Sequence, residues 1–164
     1  MKSCQTVRKE VYEFVESLLL EELKIEPFSF EIERGKIKEF VMAIGDQNPI
    51  YYDIESAKKM GYRDVPVPPT FPTAIEMWGG LDFETLIDLL GLDPLKVLHG
   101  GQEYRYLGEI YAGDTVTAFP KLISAFEKRN LRFFTIGITY KNSNGEQVLY
   151  SESTIIERGG LLND

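Results

Sequence analysis

Side chains able to carry out nucleophilic or metal chemistry are few in this sequence. Cys4 is the only cysteine and His99 is the only histidine. A single thiol cannot form an internal disulfide or a cysteine cluster for zinc, so we expect a reducing compartment and no bound metal. Acid/base chemistry, which uses histidine or carboxylate groups, therefore has one histidine available. Asp46 precedes Asn48-Pro49, where an aspartate is also typical of a turn and accepts hydrogen bonds from nearby N–H groups.

Length and charge restrict the class of protein. A chain of 164 residues fits one domain with its own core, and 43% hydrophobic against 27% charged residues is ordinary for a globular protein. The net charge of -8 argues against binding to nucleic acid or to an anionic membrane. No apolar run reaches the ~18 residues of a transmembrane helix, and the N-terminus lacks the apolar segment of a signal peptide. We therefore expect a cytoplasmic protein.

The N-terminal part of the chain is predicted to be mainly helical. Residues 1–25 are expected to form a helical extension, because apolar side chains recur there at helical spacing. The alternating residues 28–32 indicate a strand. A helix is predicted over 34–44, and a shorter one over 53–60 with Asp53 as its N-cap. The apolar stripe of the extension consists of Val7, Val11, Phe14, Val15 and Leu18.

Two further helices are predicted in the middle of the chain. Thr70 is a suitable N-cap and Pro72 is tolerated in a first turn, so a helix is predicted over about 70–79. Another helix is predicted from Asp82 to Gly91. The helix at 70–79 is the most apolar and is the candidate for the helix that the sheet surrounds. Its apolar face consists of Phe71, Ala74, Ile75 and Trp78.

From Val97 onwards the pattern changes from helices to strands. A run of helices followed by a run of antiparallel strands is typical of the α+β class, with helix packed on one face of the sheet. Asn142-Ser143-Asn144-Gly145 has the residue types of a hairpin turn. The chain is expected to form a single domain with its core over 28–157. The four predicted strands cover 97–107, 115–126, 131–142 and 147–157.

Three segments carry a family resemblance. They are Ala43–Asp53, which contains Gly45-Asp46-Gln47-Asn48-Pro49; Gly61–Phe71, which contains Pro68-Pro69-Thr70; and Leu98–Tyr106 with Ala112–Val116 behind it. In this order they resemble the MaoC-like dehydratases and (R)-specific enoyl-CoA hydratases. The second and third are similar to the N-terminal-type branch, which includes non-identical subunits of mycobacterial hydroxyacyl-ACP dehydratases. The match covers about residues 28–157.

The resemblance implies both a fold and a reaction. The fold is the hot dog, in which an antiparallel sheet wraps around a central helix, and units pair as dimers or double hot dogs with the acyl chain between them. The reaction adds water to a 2-enoyl thioester, or removes it from a 3-hydroxyacyl thioester, carried by coenzyme A or acyl carrier protein. It requires an acid/base pair and donors to the thioester oxygen. No cofactor besides the thioester carrier is implied.

Tyr51 is where the sequence departs from the family pattern. The family pair is an aspartate and a histidine in the pattern Asp-x-Asn-Pro-aliphatic-His. Asp46, Asn48 and Pro49 match this pattern, but Tyr51 occupies the histidine position. A tyrosine with an ordinary pKa of about 10 is a poor base at neutral pH, although it can donate a hydrogen bond. His99 either replaces the missing histidine from another element or is a hydrogen-bonded strand residue beneath the central helix.

The expected substrate-binding residues lie around the start of the central helix. Thr70 matches the family position whose backbone N–H faces the thioester oxygen, and a helix N-terminus offers free N–H groups with partial positive charge. By the same resemblance Asn48 and Pro69 are expected to belong to the acyl site. Phe71 and Trp78 are expected to line the acyl tunnel, the alternative being ordinary core packing.

Three functions are compatible with the sequence. The first is an acyl-thioester hydratase or dehydratase of fatty acid metabolism, active as a homodimer or higher oligomer with Asp46 in a modified site. The second is a non-catalytic subunit that supplies an acyl-chain pocket to a separate MaoC-like chain with the full Asp/His pair. Tyr51 favours the second. The third is an acyl-CoA-binding or regulatory hot-dog protein.

Overall fold

The computed structural model describes residues 25–159. The predicted apolar stripe from Val7 to Leu18 lies outside the described residues. The strands are β1 (Phe28–Glu31), β2 (Val97–Tyr106), β3 (Thr115–Lys128), β4 (Leu131–Lys141) and β5 (Gln147–Arg158). The helices are α1 (Arg34–Ala43), α2 (Ile54–Lys59), α3 (Pro72–Gly79) and α4 (Phe83–Leu90), with a 3₁₀ helix at Pro49–Tyr51.

The five strands form one antiparallel sheet in the order β1-β3-β4-β5-β2. The predicted strands are confirmed, with ends that differ by a residue or two, because alternating apolar residues mark a sheet with one buried face. β2 forms one edge of the sheet and pairs only with β5. Its register shifts between His99 and Gly101, which is a β-bulge. The architecture is the predicted α+β class.

Tight turns fix the register of the long strands. Arg129 and Asn130 connect β3 to β4 with φ values of 53° and 61°, and left-handed angles at both positions of a two-residue turn are those of a type I′ hairpin. The predicted turn between β4 and β5 is confirmed by the hydrogen bond of 2.9 Å from Gly145 N to Asn142 O. Alternate residues of β4 therefore face the interior throughout its length.

The core lies between α3 and the concave face of the sheet. Burying a large apolar side chain contributes roughly 1.5–3 kcal/mol, so this interface supplies much of the stability. Together with the order of the strands, it gives the hot-dog arrangement, with α3 as the central helix. The buried side chains that residues 71–79 and β4 contribute to this core are Phe71, Ala74, Ile75, Phe134, Ile136, Ile138 and Tyr140.

Two expectations about α3 are wrong. Phe71, not Thr70, precedes the helix, and no side chain caps its N-terminus. Phe71 N donates to Pro68 O at 2.9 Å, so the chain already turns before the helix starts and Thr70 stays exposed. Trp78 is 59% exposed instead of facing the core. The last turn of α3 lies against β1, where a Cβ added to Gly79 would meet the Phe28 ring at 2.4 Å, and Trp78 is left at the surface beside it.

Candidate functional site

Asp46 lies in the loop after α1, and the loop itself holds its carboxylate. Asp46 N donates to Val41 O at 2.9 Å, which closes the end of the helix. The Asp46 Oδ1 atom accepts a hydrogen bond of 2.8 Å from Asn48 N. The Asn48 side chain in turn accepts from Ile50 N at 3.3 Å and caps the 3₁₀ helix. Asp46 therefore stabilises the turn through Oδ1, and this contact does not prevent it from also belonging to the candidate site.

Tyr51 ends that 3₁₀ helix and is buried. Burial raises the pKa of its phenol, and the negative charge of Asp46 and the nearby Tyr62 raise it further. The coupling to Asp46 shows that the two residues of the modified motif are electrostatic neighbours. The Tyr51 hydroxyl consequently keeps its proton at neutral pH and offers a hydrogen-bond donor beside a carboxylate.

Tyr106 connects these residues to the start of α3. Its hydroxyl donates a hydrogen bond of 3.2 Å to the carbonyl oxygen of Pro69. Burial raises the pKa of Tyr106, with smaller contributions from Tyr104 and Tyr51. Tyr106 is therefore bonded to the segment at Pro69 and is an electrostatic neighbour of Tyr51. Together with Asp46, which acts on Tyr51, these residues define the candidate site.

Thr70 presents its backbone N–H at this site. Among residues 25–159, no acceptor takes that N–H, whereas the next amide, of Phe71, is bonded to Pro68 O. The helix dipole adds partial positive charge at the N-terminus of α3. Thr70 is exposed, so a ligand can reach its N–H. An N–H group in this position can donate a hydrogen bond to an oxygen atom of a ligand.

A row of polar contacts continues from this site between α3 and the edge strand. Thr73 Oγ1 lies 2.6 Å from the Tyr104 hydroxyl, one helical turn beyond Pro69 and two strand residues before Tyr106. Burial and the charge of Glu76 raise the pKa of Tyr104 to about 12. Residues at spacings of three on a helix and two on a strand share one face. The N-terminal half of α3 is thus tied to β2 by hydrogen bonds.

Beyond these contacts lies an apolar cavity of about 160 Å³ between α3, α4 and the sheet. Glu76, His99 and Gln102 are among the polar side chains in its wall. The Glu76 Oε1 atom accepts hydrogen bonds from the Tyr140 hydroxyl at 2.7 Å and from Ser151 Oγ at 2.8 Å. The apolar part of the wall includes Leu81, Leu86, Ile87, Ile136, Ile138 and Ile155.

His99 belongs to this cavity and not to the site at Asp46. Its Nε2 atom lies 3.3 Å from Gln102 Oε1, and its charge acts on Glu76. Tyr106 follows His99 by seven residues along β2, which corresponds to roughly 20 Å of strand. The structure therefore places His99 on an exposed part of β2, away from the position that Tyr51 occupies.

Phe71 and Trp78 lie outside the cavity. Phe71 is fully buried and packs edge-on against Phe40, with ring centroids 5.4 Å apart. It is a core residue, and Trp78 is a surface residue. The polar wall residues Glu76 and Gln102 were not predicted. The signal for them was present, because Glu76 is the only charged residue of α3 and Gln102 shares a strand face with Tyr104 and Tyr106.

Metal and membrane features are not found in the part of the chain that the structure describes. No group of three or more His, Cys, Asp or Glu side chains within residues 25–159 is arranged to hold a metal ion. Nor is any helix of that range long and apolar enough to cross a bilayer.

The fold and this site define a hot-dog protein of the MaoC-like type. A family model described as "FAS1-like, dehydratase domain region" matches residues 22–150, and the chain belongs to this family. It is 37% identical over 134 residues to a UPF0336 protein of Thermobifida fusca, covering 81% of this chain and 87% of that one. A UPF0336 protein of Saccharopolyspora erythraea is 34% identical over 133 residues, covering 80% and 83%.

Solved structures share the fold at lower identity. The HadBC (3R-hydroxyacyl-ACP dehydratase) complex of Mycobacterium tuberculosis aligns with a TM-score of 0.68 and 19% identity, over 82% of this chain and 97% of that one. The ChsH1-ChsH2 complex of the same organism gives 0.69 and 18%, over 98% and 96%. The (R)-hydratase of A. caviae involved in PHA biosynthesis gives 0.62 and 16%, over 79% and 91%.

Proposed function

We propose that this chain is the acyl-thioester-binding subunit of a MaoC-type hydratase/dehydratase, in which a second MaoC-like chain supplies the Asp/His pair. The reaction is the addition or removal of water at a 2-enoyl or 3-hydroxyacyl thioester of coenzyme A or acyl carrier protein. The observation that carries the proposal is Tyr51, a buried phenol beside Asp46 where a base is required.

The chemistry of Tyr51 opposes a full reaction on this chain. A general base works best when its pKa lies near the operating pH, and both burial and the charge of Asp46 move the pKa of Tyr51 away from it. A protonated phenol can orient a water or a thioester, but it cannot accept the proton. The Asp46 carboxylate already accepts one hydrogen bond from Asn48 N, so the base is expected from a partner.

Other features support binding of the thioester. The N–H of Thr70 is exposed and unpaired among the described residues, at the positive end of α3. An apolar cavity lies farther along the same helix. The thioester oxygen would therefore bind at the N-terminus of α3, and the acyl chain would enter the cavity farther along the same helix. The carrier, coenzyme A or a carrier protein, is part of the substrate, and the proposal requires no other cofactor.

A partner chain is supported by the fold relatives and by the sheet edge. HadBC and ChsH1-ChsH2 are complexes. β2 of this chain is an edge strand, and an edge strand presents unpaired N–H and C=O groups to a neighbour. Apolar side chains at this edge, Leu98 and Leu107, are 46% and 55% exposed. We propose a cytoplasmic heteromer of two hot-dog chains.

A second candidate function is favoured by Asp46 itself. Its carboxylate is in place beside Tyr51, and an oriented carboxylate can activate a water molecule. In this alternative the chain acts as a homodimer, with Asp46 as the base and the Tyr51 hydroxyl as a donor. The expected rate is lower than that of an Asp/His pair, because one of two acid/base groups is missing.

The test is hydration of crotonyl-CoA and of a longer 2-enoyl-CoA by the purified chain. The assay is run on this chain alone and with a MaoC-like chain that carries Asp-x-Asn-Pro-x-His and is encoded by a neighbouring gene. We expect activity only in the mixture, together with a complex in size-exclusion chromatography. Turnover by this chain alone that is lost in Asp46→Asn would instead establish the second candidate. Absence of both complex and turnover would reject both.

A further inference from the structure

The cavity between α3, α4 and the sheet is lined mainly by apolar side chains, but part of its wall is polar. Its volume of about 160 Å³ is close to that of an engineered cavity of ~150 Å³ that stays dry and binds benzene when lined only by apolar groups. This cavity is large enough for about one six-membered ring. Glu76 and Gln102 both line it, so an occupant meets groups that form hydrogen bonds.

Glu76 presents an unused acceptor. Both of its hydrogen bonds, from Tyr140 and Ser151, go to Oε1. Within residues 25–159 no donor is bonded to Oε2. Burial raises the pKa of this carboxyl, while those two hydrogen bonds oppose the rise. The Glu76 side chain is half-buried and Oε2 is not a buried orphan atom, so this oxygen is free to accept a hydrogen bond from an occupant of the cavity.

Gln102 presents an unused donor. Its Nε2 atom is buried and has no hydrogen-bond partner among the described side chains. Its Oε1 atom lies 3.3 Å from His99 Nε2, where an N–H of the imidazole ring can donate to it. An amide nitrogen left unpaired in an apolar surrounding lowers stability, so most buried polar groups are paired. A donor of this kind in a cavity wall can pair with a polar occupant.

We propose that this cavity binds the hydroxyl-bearing apolar part of an acyl chain. A hydroxyl group both donates and accepts: it can donate to Glu76 Oε2 and accept from Gln102 Nε2. A carbonyl oxygen could only accept, and a methyl group could do neither. Glu76 follows Thr70 by six residues, roughly 9 Å along α3. The hydroxyl would therefore lie well beyond the thioester and its neighbouring carbons.

This inference rests on the proposed function for the acyl chain, but the cavity can be tested without turnover. The probes are cyclohexanol, cyclohexanone and methylcyclohexane, three rings of similar size with a hydroxyl, a carbonyl or a methyl group. Affinities are measured by NMR titration of the methyl signals of Ile136, Ile138 and Ile155, which line the cavity. Each affinity is expressed as a ratio of variant to wild type, which removes differences in water solubility between probes.

Gln102→Leu is expected to weaken cyclohexanol and cyclohexanone about tenfold, the effect of one hydrogen bond, without weakening methylcyclohexane. Glu76→Gln keeps an oxygen for Tyr140 and Ser151 but replaces the free acceptor by a donor. It should weaken cyclohexanol and strengthen cyclohexanone. Gln147→Leu makes the same chemical change at an exposed position and is expected to alter none of the ratios.

The inference would be overturned if the ratios of variant to wild-type affinity were the same for all three probes, or if none of the three probes bound. Competition with octanoyl-CoA separates the two proposals. Displacement of cyclohexanol by octanoyl-CoA is expected if the acyl chain enters this cavity. Cyclohexanol bound with the expected ratios but not displaced would overturn the acyl assignment, whatever the hydration assay shows. Displacement in a chain that never supports hydration would reject the proposed reaction alone.

Discussion

The hydroxyl of Tyr106 holds the carbonyl oxygen of Pro69 at 3.2 Å. That carbonyl and the N–H of Thr70 belong to one planar peptide group, and the described chain contains no cis peptide bond, so the two point in opposite directions. By holding the carbonyl on one side, Tyr106 directs the N–H to the other. Tyr106 is therefore a positioning residue for the donor that we assign to the thioester oxygen.

Replacing Tyr106 tests this relationship. Tyr106→Phe is expected to lower the affinity for octanoyl-CoA several-fold, because the peptide at Pro69 loses its anchor. The free energy of unfolding should fall by only about 1 kcal/mol, the usual net effect of one hydrogen bond. Calorimetric titration and urea unfolding give the two values. Tyr150→Phe removes a hydroxyl bonded to Glu152 at 2.8 Å and should leave the affinity unchanged; equal losses in both variants contradict the positioning role.

Restoring the histidine at position 51 should restore acid/base chemistry. Tyr51→His places an imidazole beside Asp46 with a pKa near neutrality, and general acid–base catalysis typically contributes about 10²–10⁴-fold. We expect kcat/KM for crotonyl-CoA hydration by this chain alone to rise by at least about 10². Tyr51→Phe serves as the control for loss of the hydroxyl. No gain in a folded Tyr51→His protein would mean that another part of the site is also missing.

Thr70 should tolerate truncation, contrary to the N-cap role predicted from the sequence. Because no side chain caps α3, Thr70→Ala is expected to change the free energy of unfolding by less than about 0.5 kcal/mol. It also leaves the backbone N–H in place, so acyl-CoA affinity should be kept. Asp82→Ala is the comparison, since Asp82 accepts from Thr85 N at 2.8 Å as a true N-cap and its loss should be clearly destabilising. A large effect at Thr70 would argue for a capping contact.

Glu76 should make stability fall with rising pH. Burial raises the pKa of its carboxyl in the folded state above the ordinary value of about 4.3. Between the unfolded and folded pKa values the native protein holds a proton that the unfolded chain has released, so its free energy of unfolding decreases as pH rises through that interval. Compared with Glu76→Gln, which cannot ionise, the wild type should lose stability as the pH rises above the ordinary pKa of a glutamate. Urea unfolding at several pH values measures the difference in free energy of unfolding between the two proteins. A difference that does not change with pH, or that grows in favour of the wild type as pH rises, would contradict this prediction.

The buried ion pair between Arg132 and Glu157 should respond asymmetrically to mutation. Both side chains are 2% exposed, and Glu157 Oε1 also accepts from Asp93 N at 2.7 Å. Arg132→Met leaves an uncompensated buried charge, which costs roughly 3–5 kcal/mol. Arg132→Met with Glu157→Gln removes that charge and keeps an acceptor for Asp93, so it should cost less. A double variant as unstable as the single one, by urea unfolding, would mean that Arg132 contributes mainly through packing.

The long strands and the position of the central helix could be predicted from the sequence because their signals are local. In β4, Phe134, Ile136, Ile138 and Tyr140 alternate, and the sheet buries all four. The family resemblance directed attention to Asp46 and Tyr51, and the structure makes these two residues electrostatic neighbours. Thr70 was wrongly predicted to be the N-cap of α3. The N-cap position depends on the backbone dihedral angles at which the helix begins, and residue type alone does not determine these angles.

The polar side of the cavity could not be predicted because its contacts are distant in the chain. Glu76 is bonded to Tyr140 and Ser151, which lie 64 and 75 residues away. Trp78 had the helical spacing of a core residue, yet it is 59% exposed, while its neighbour Gly79 approaches Phe28 of β1. Periodicity describes one element at a time, whereas these features arise where elements meet.

The two ends of α3 are held by different kinds of contact. Its N-terminal half is tied to β2 by directional hydrogen bonds at Pro69 and Thr73. Apart from the hydrogen bonds that Glu76 accepts from Tyr140 and Ser151, its C-terminal half and α4 enclose the cavity through apolar packing, which has no fixed geometry. Substitutions in α4 can therefore resize the cavity while the other end of α3 keeps its shape. In protein engineering or in natural divergence, the length and branching of the ligand that the cavity accepts can therefore change independently of how the head group of that ligand is bound.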